Sequence, residues 1–151
     1  MKLYIESSVP NFLLADDAPE KREITKKFFE QDIKKFDLFI SDLVLDEISK
    51  SPPEKKIKLR QIISKLTLKE LKVDEESEKL AEEYLKAKII PEKYKNDALH
   101  IAIAVVNKLD VIVSWNMEHI VKLKTIIGVN KINRELKYHE ILINTPEEAL
   151  E

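Results

Sequence analysis

Four polar residues far apart in the sequence, Glu6, Glu47, Asp97 and Asn116, stand where side chains could meet and do chemistry. Glu6 closes the apolar opening Leu3-Tyr4-Ile5. Asp97 lies in the first turn of the apolar segment Asn96–Val106. Asn116 follows the β-branched run Val111-Ile112-Val113. Glu47 lies at i+4 from Leu43 and i+3 from Val44, on the stripe those residues turn inward. Three carboxylates without a basic partner repel one another, and if buried they must be protonated or neutralised. A divalent cation would neutralise them. An oxygen donor set without cysteine or a histidine pair suits Mg2+ or Mn2+ better than Zn2+. Such an ion activates water and offsets charge on a phosphodiester oxygen, so metal-dependent phosphodiester hydrolysis is the chemistry these residue types allow. Each residue also has a plainer role open to it. Asp97 suits a helix N-terminus, Glu6 a polar strand end, Glu47 an exposed helix face and Asn116 an N-cap.

The elements that must position these residues follow from periodicity. Ala98, Ile101, Ala102 and Val105 fall at i, i+3, i+4 and i+7, which predicts a helix covered on more than one side. Val111–Val113 reads as a strand buried on both faces. Further strands are expected at 2–6, 36–40, 68–73 and 138–144. Helices are expected from Val9-Pro10, over 19–35, from Ser41 or Asp42 to Lys50, and over 54–65. Others follow over 75–88, capped by Asp74, over 117–127, closed by Gly128 as a C′ residue, and from Thr145. Ser7 and Ser8 read as caps of the short helix that follows them. Ile24, Phe28, Phe29, Ile57, Ile62, Ile63 and Leu66 are expected on inward helix faces. Alternating strands and helices predict a parallel sheet with helices on both faces. Ligands of such sheets bind beyond the carboxyl ends of the strands. That rule retains Glu6, Glu47, Asp97 and Asn116. It discards Asp110, which precedes its strand, and leaves Asp42 as a cap and Asp46 pointing away.

The chain has 151 residues, 44% hydrophobic and 36% charged, with a formal net charge of −2. That length suits one domain, 1–151, able to bury roughly 70% of its unfolded surface. No cysteine is present, so disulfides and thiolate metal sites are excluded. A single glycine excludes Gly-rich phosphate loops. No apolar run approaches a membrane span and no signal-peptide pattern opens the sequence, so a cytoplasmic location is expected.

The ordered set of motifs resembles the PIN-domain family, and within it the VapC-like toxins of toxin–antitoxin pairs. The matching pieces are Tyr4-Ile5-Glu6-Ser7-Ser8-Val9, Ser41–Ile48, Asn96–Ala102, Ser114-Trp115-Asn116 with His119-Ile120, and Asn144–Glu148. The resemblance implies an α/β fold, a parallel five-stranded sheet in a three-layer α/β/α sandwich, and an endoribonuclease using Mg2+ or Mn2+. In it Glu6, Glu47 and Asp97 take the places of the metal-binding acids, and Asn116 that of a fourth acid or its substitute. Ser8 matches a hydroxyl supporting the first acid. It also implies a homodimer and, for the toxins, an antitoxin partner. The family's usual first residue is Asp. Glu6 is longer by one methylene, about 1.5 Å, against the strict distances of Mg2+. A catalytically silent PIN-like module that binds RNA or protein is therefore the alternative reading.

An RNA substrate needs cations. Between Lys55 and Lys72 seven basic residues accompany one acid, Glu70. They could border the acidic cleft or form a solvated helix face. His100, one turn beyond Asp97, could orient that carboxylate or a bound water, or simply pack. His119 could face the cleft. Trp115 is expected to pack beneath it. The amphipathic helices could supply a dimer or antitoxin surface, or only core.

Overall fold

The structure is a computed structural model and describes residues 1–150. Five strands, β1 (Lys2–Ile5), β2 (Asp37–Ser41), β3 (Leu68–Leu71), β4 (Val111–Val113) and β5 (Leu142–Asn144), form one sheet in the order β3-β2-β1-β4-β5. Every pairing is parallel. Leu3, Tyr4 and Ile5 have no exposed surface, so the middle strand is covered on both faces. Among the described residues seven α-helices accompany the sheet: α1 (Ser8–Phe12), α2 (Pro19–Lys27), α3 (Asp42–Ser49), α4 (Pro53–Ser64), α5 (Glu75–Lys86), α6 (Lys95–Val106) and α7 (Leu123–Glu135). Helix α6 packs against α5, and α4 against α1 and α3. The chain first runs from β1 outward to β3, then returns to lay β4 on the other side of β1. The order therefore reverses beside β1, the place where α/β sheets open a binding crevice.

Several sequence expectations are corrected locally. The helix read over 19–35 changes pitch after Lys27, passing through a π turn at Phe28–Asp32 and a 3-10 turn at Ile33–Lys35. On α4 the buried residue is Leu59, and Ile57 is exposed. Strand β1 ends at Ile5, so Glu6 lies just past it. Asp42 does not cap α3. Its Oδ1 accepts from Val73 N at 3.0 Å and ties the end of β3 to the start of α3. Asp74 does cap α5, through a reciprocal exchange with Ser77. The largest correction concerns 117–128. The helix there is α7, beginning at Leu123 and running through Gly128. Its inward face carries Thr125, Val129, Asn130 and Asn133, while Leu123 and Ile127 point to solvent. Asn130 explains how an amide can be buried: it accepts from Ile141 N and donates to Ile141 O, fixing the approach to β5. An inward face that is mostly polar defeats a reading based on apolar spacing.

The lone glycine is thus not a helix terminus. A Cβ built on Gly128 would lie 2.7 Å from Ile89 Cγ1, so its role is close approach of α7 to the loop after α5. Three helices instead end on a left-handed lysine: Lys88 (φ 58°), Lys108 (φ 60°) and Lys137 (φ 66°). Each carries the paired bonds of a Schellman motif. After α6, for example, Lys108 N donates to Val105 O and Leu109 N to Ala104 O. A left-handed L-residue costs about 1–2 kcal/mol that glycine avoids. Lys108 is exposed, so Lys108→Gly should raise unfolding stability by about 1 kcal/mol. Gly128→Ala should lower it by about 1–3 kcal/mol through overpacking. In an Ile89→Ala background the same change should become stabilising, by about 1 kcal/mol of helix propensity. Denaturant midpoints of the four proteins in the Gly128/Ile89 cycle measure that reversal of sign.

Candidate active site

Glu6 is delivered to the sheet's carboxyl edge by the central strand and is 5% exposed. Its Oε1 accepts from Ser8 Oγ at 2.5 Å and from Ser114 Oγ at 2.6 Å. Each serine oxygen also accepts a backbone N–H, from Trp115 at 2.8 Å and from Asn116 at 2.9 Å. A hydroxyl has one proton to give, so those backbone bonds leave it aimed at Glu6. Ser7 likewise turns away from capping α1, whose N-cap has no side-chain bond. Its hydroxyl donates to Glu47 Oε1 at 2.6 Å.

Glu47 occupies the stripe the sequence assigns it, half-buried on α3. His100 Nε2 meets the same Oε1 at 2.6 Å. His100 is wholly buried, and its Nδ1 lies 2.7 Å from Tyr4 OH, itself 2.7 Å from Ser41 Oγ. The histidine that sequence spacing linked to Asp97 is therefore bonded to Glu47. Burial opposes charge on Glu47. The hydrogen bonds from His100 and Ser7 and the charges of His100 and Lys50 outweigh it and hold the carboxyl below its ordinary range. Burial likewise opposes charge on His100. The bond to Glu47 and the carboxylates of Glu6, Glu47 and Asp97 prevail and raise it. Tyr4 is pushed far upward, mainly by burial, and keeps its proton.

Asp97 stands in the first turn of α6. His119 Nδ1 lies 3.2 Å from its Oδ2, and the imidazole stacks on Tyr94 with centroids 3.9 Å apart. Asn116 Oδ1 accepts from His119 N at 2.9 Å, and its amide group sits beside Asp97. Burial first, and the charge of Glu6 second, raise the Asp97 carboxyl. The Asn116 amide, His100 and His119 oppose this only in part. Trp115 packs in the core and donates to Thr25 Oγ1 at 2.8 Å.

Glu6, Glu47 and His100 place ligand atoms within 4.8 Å of one another; Asp97 lies outside that group yet close enough to feel Glu6. Both His100 nitrogens are occupied by Glu47 and Tyr4. Among the described residues, no donor bonds the second oxygen of Glu6 or Glu47, and no lysine or arginine pairs with Glu6, Glu47 or Asp97. The donor set is thus carboxylate oxygens held from behind and uncompensated in front, which fits a hard divalent cation. A concavity of about 590 Å3 lies at the other end of the sheet, among Phe29, Ile33, Phe36, Ile62 and Leu66, and among the described residues no acid lines it. Ser7, Ser114, Tyr4 and Ser41 complete the site without having been singled out from sequence. Their spacing matched caps and core, and only the folded contacts show where their hydroxyls go.

The two acids differ in a measurable way. In EDTA at neutral pH, Asp97→Asn should unfold at a higher temperature than the native protein, because it removes a buried charge repelled by Glu6. Glu47→Gln should unfold at a lower one, losing about 1–3 kcal/mol of charged hydrogen bonding. Thermal melts of the metal-free proteins read both signs.

Residues 3–118 match the PIN domain. Among curated proteins none matches the sequence. Among solved structures the fold is similar to a chain of the VapBC2 complex from Rickettsia felis bound to a DNA fragment from its promoter. The TM-score is 0.57 at 14% identity, over 96% of this chain and 98% of that one. With the five-stranded parallel sheet and the acid cluster at its carboxyl edge, the match over residues 3–118 means that the chain belongs to the PIN-domain family.

Proposed function

We propose that the protein is a metal-dependent endoribonuclease, the toxin of a toxin–antitoxin pair, hydrolysing RNA phosphodiester bonds in the cytoplasm. PIN domains are nucleases, and the chain carries the acids such chemistry needs. The observation that carries the reading is a set of carboxylates converging on one sheet edge without a lysine or arginine to neutralise them. Residues 1–151 act as one PIN-like domain. The likeness to a VapBC2 chain supports an antitoxin partner for this chain, and a homodimer is the expected assembly.

Glu6, Glu47 and Asp97 would hold Mg2+ or Mn2+. When bound, the ion activates water and neutralises phosphate charge. The protein's own part is positioning. Ser8 and Ser114 fix Glu6, Ser7 and His100 fix Glu47, and His119 and Asn116 fix Asp97. Fixed donors behind each acid keep the outward oxygens in place without reorganisation as charge develops. The extra methylene of Glu6 is absorbed by this anchoring, since two hydroxyls and the buried strand end set where its carboxylate stands.

Incubation of a mixed-sequence RNA with Mn2+ tests the reading. The native protein should cut. Asp97→Asn should lose at least about a hundredfold in rate, the scale on which removing an electrostatic group at a reacting centre is felt. Mn2+ should raise the melting temperature of the native protein and do so far less for Asp97→Asn. Equal cutting by both proteins would remove the proposed site. No cutting by either, with RNA still bound, would favour a silent binding module.

A further inference from the structure

A second feature lies one helical turn behind the acids. Helix α1 starts with the serine that fixes Glu6 and ends at Phe12; Asn11 Nδ2 donates to Ser7 O at 2.8 Å, tying the two ends together. Beyond it opens a cleft of about 430 Å3, bounded by Asn11 and Phe12 of α1, Lys21 of α2 and Lys55 of α4. That size falls in the roughly 300–1,000 Å3 range of small-ligand sites. Lys21 and Lys55 are both half-buried, and among the described residues neither has an ion-pair partner. Lysines usually keep their charge in water, and partly desolvated, unpaired ones are the exception. Lys21 is also held in place. Its Nζ stands 5.3 Å from the Phe12 ring centroid and 5.4 Å from that of Trp115. Cation–π attraction at such distances fixes an ammonium group without neutralising it. Trp115 N in turn bonds the Ser8 hydroxyl that fixes Glu6. The cleft and the acids therefore share one framework. Among the described residues the only acid on its lining is Asp17, which is exposed, so the cleft keeps a positive excess.

We infer that Lys21 and Lys55 form a phosphate subsite for the single strand entering the acidic edge, holding the backbone next to the bond to be cut. This rests on the nucleic-acid reading above and adds where the strand lies. Of the basic stretch between Lys55 and Lys72, it assigns the work to Lys55. Lys55 is the residue of that stretch that lines this cleft, whereas Lys58 is paired with Glu54 and Lys65 lines the apolar concavity at the other end of the sheet. Phosphate contacts of this kind position a strand without reading its sequence.

The test is binding of a short, labelled single-stranded oligoribonucleotide in EDTA, so that binding is read without cutting, titrated from about 0.05 M salt upward. Repulsion from the metal-free acids is common to all variants and cancels in their ratios. Each single-strand phosphate contact contributes about 0.7 to the slope of log affinity against log salt. Lys21→Met and Lys55→Met should each flatten that slope by about 0.7 and weaken binding about fivefold near 0.1 M salt. Lys21→Arg should retain the native slope. Lys79→Met, on α5 and paired with Glu75, should change neither. Native slope and affinity in both methionine variants, or an equal loss in Lys79→Met, overturns the inference, as does failure of the native protein to bind. Cleavage with Mn2+, run in parallel, separates the two claims. Lysine-dependent binding without any cutting keeps the subsite and removes the nuclease. Cutting with unchanged KM in the methionine variants removes the subsite and keeps the nuclease.

Discussion

Repulsion between carboxylates gathered at the end of a buried sheet is the constraint around which this structure is arranged. Like charges brought together out of water raise each other's proton affinity or drive the groups apart. Asp97 shows the first effect, its carboxyl raised by burial and by Glu6. The second is prevented by mechanical restraint. Serine hydroxyls and an imidazole bond Glu6 and Glu47 from behind. Serine hydroxyls carry no countercharge. They fix geometry and leave the net negative charge directed outward, which a salt bridge to lysine would have cancelled. Two imidazoles can share charge: His119 stands beside Asp97, and His100 is bonded to Glu47 and buried where nothing from outside competes for it.

That restraint depends on sheet order. Ser8 and Ser114 are separated by 106 residues and meet only because β4 returns to pair with β1, with Ile5 opposite Val113. Glu47 reaches Ser7 because β2 pairs on the other side, with Tyr4 opposite Phe39. A slip of β1 by one residue would send Glu6 to the opposite face and break all of these bonds together. Complete burial of Leu3, Tyr4 and Ile5 makes such a slip expensive, so the register of the site is set by the apolar core beneath it.

The sequence was legible where a single local rule decides. Alternation of strands and helices leads to the parallel sheet, and of the acids retained by the rule about carboxyl edges the fold brings Glu6 and Glu47 together. Asp74 capped as read, because its partner is three residues away. Legibility failed where one residue type serves two purposes. Ser7 looks like a cap and acts as a donor to Glu47, forty residues away. His100 lies one turn from Asp97 but bonds Glu47, which comes from another element. Helix α7 lies beyond the span that apolar spacing predicts because its inward Asn130 bonds across to Ile141, a partner that no periodicity within the helix announces.

Gly128 shows the same limit from the side of stability. By local rule a glycine near a helix end is a left-handed cap, and a lysine is a poor one. The chain does the reverse, with lysines at three left-handed termini and its glycine inside α7. Energies decide the arrangement. A lysine at an exposed terminus bears about 1–2 kcal/mol of backbone cost and nothing more. A side chain at Gly128 would meet Ile89 at 2.7 Å, and the helix that braces β5 would have to move. Tolerating small losses at the surface preserves close approach in the interior. The position of α7 in turn helps keep β5 against β4, the strand whose end supplies Ser114 and Asn116 to the acids.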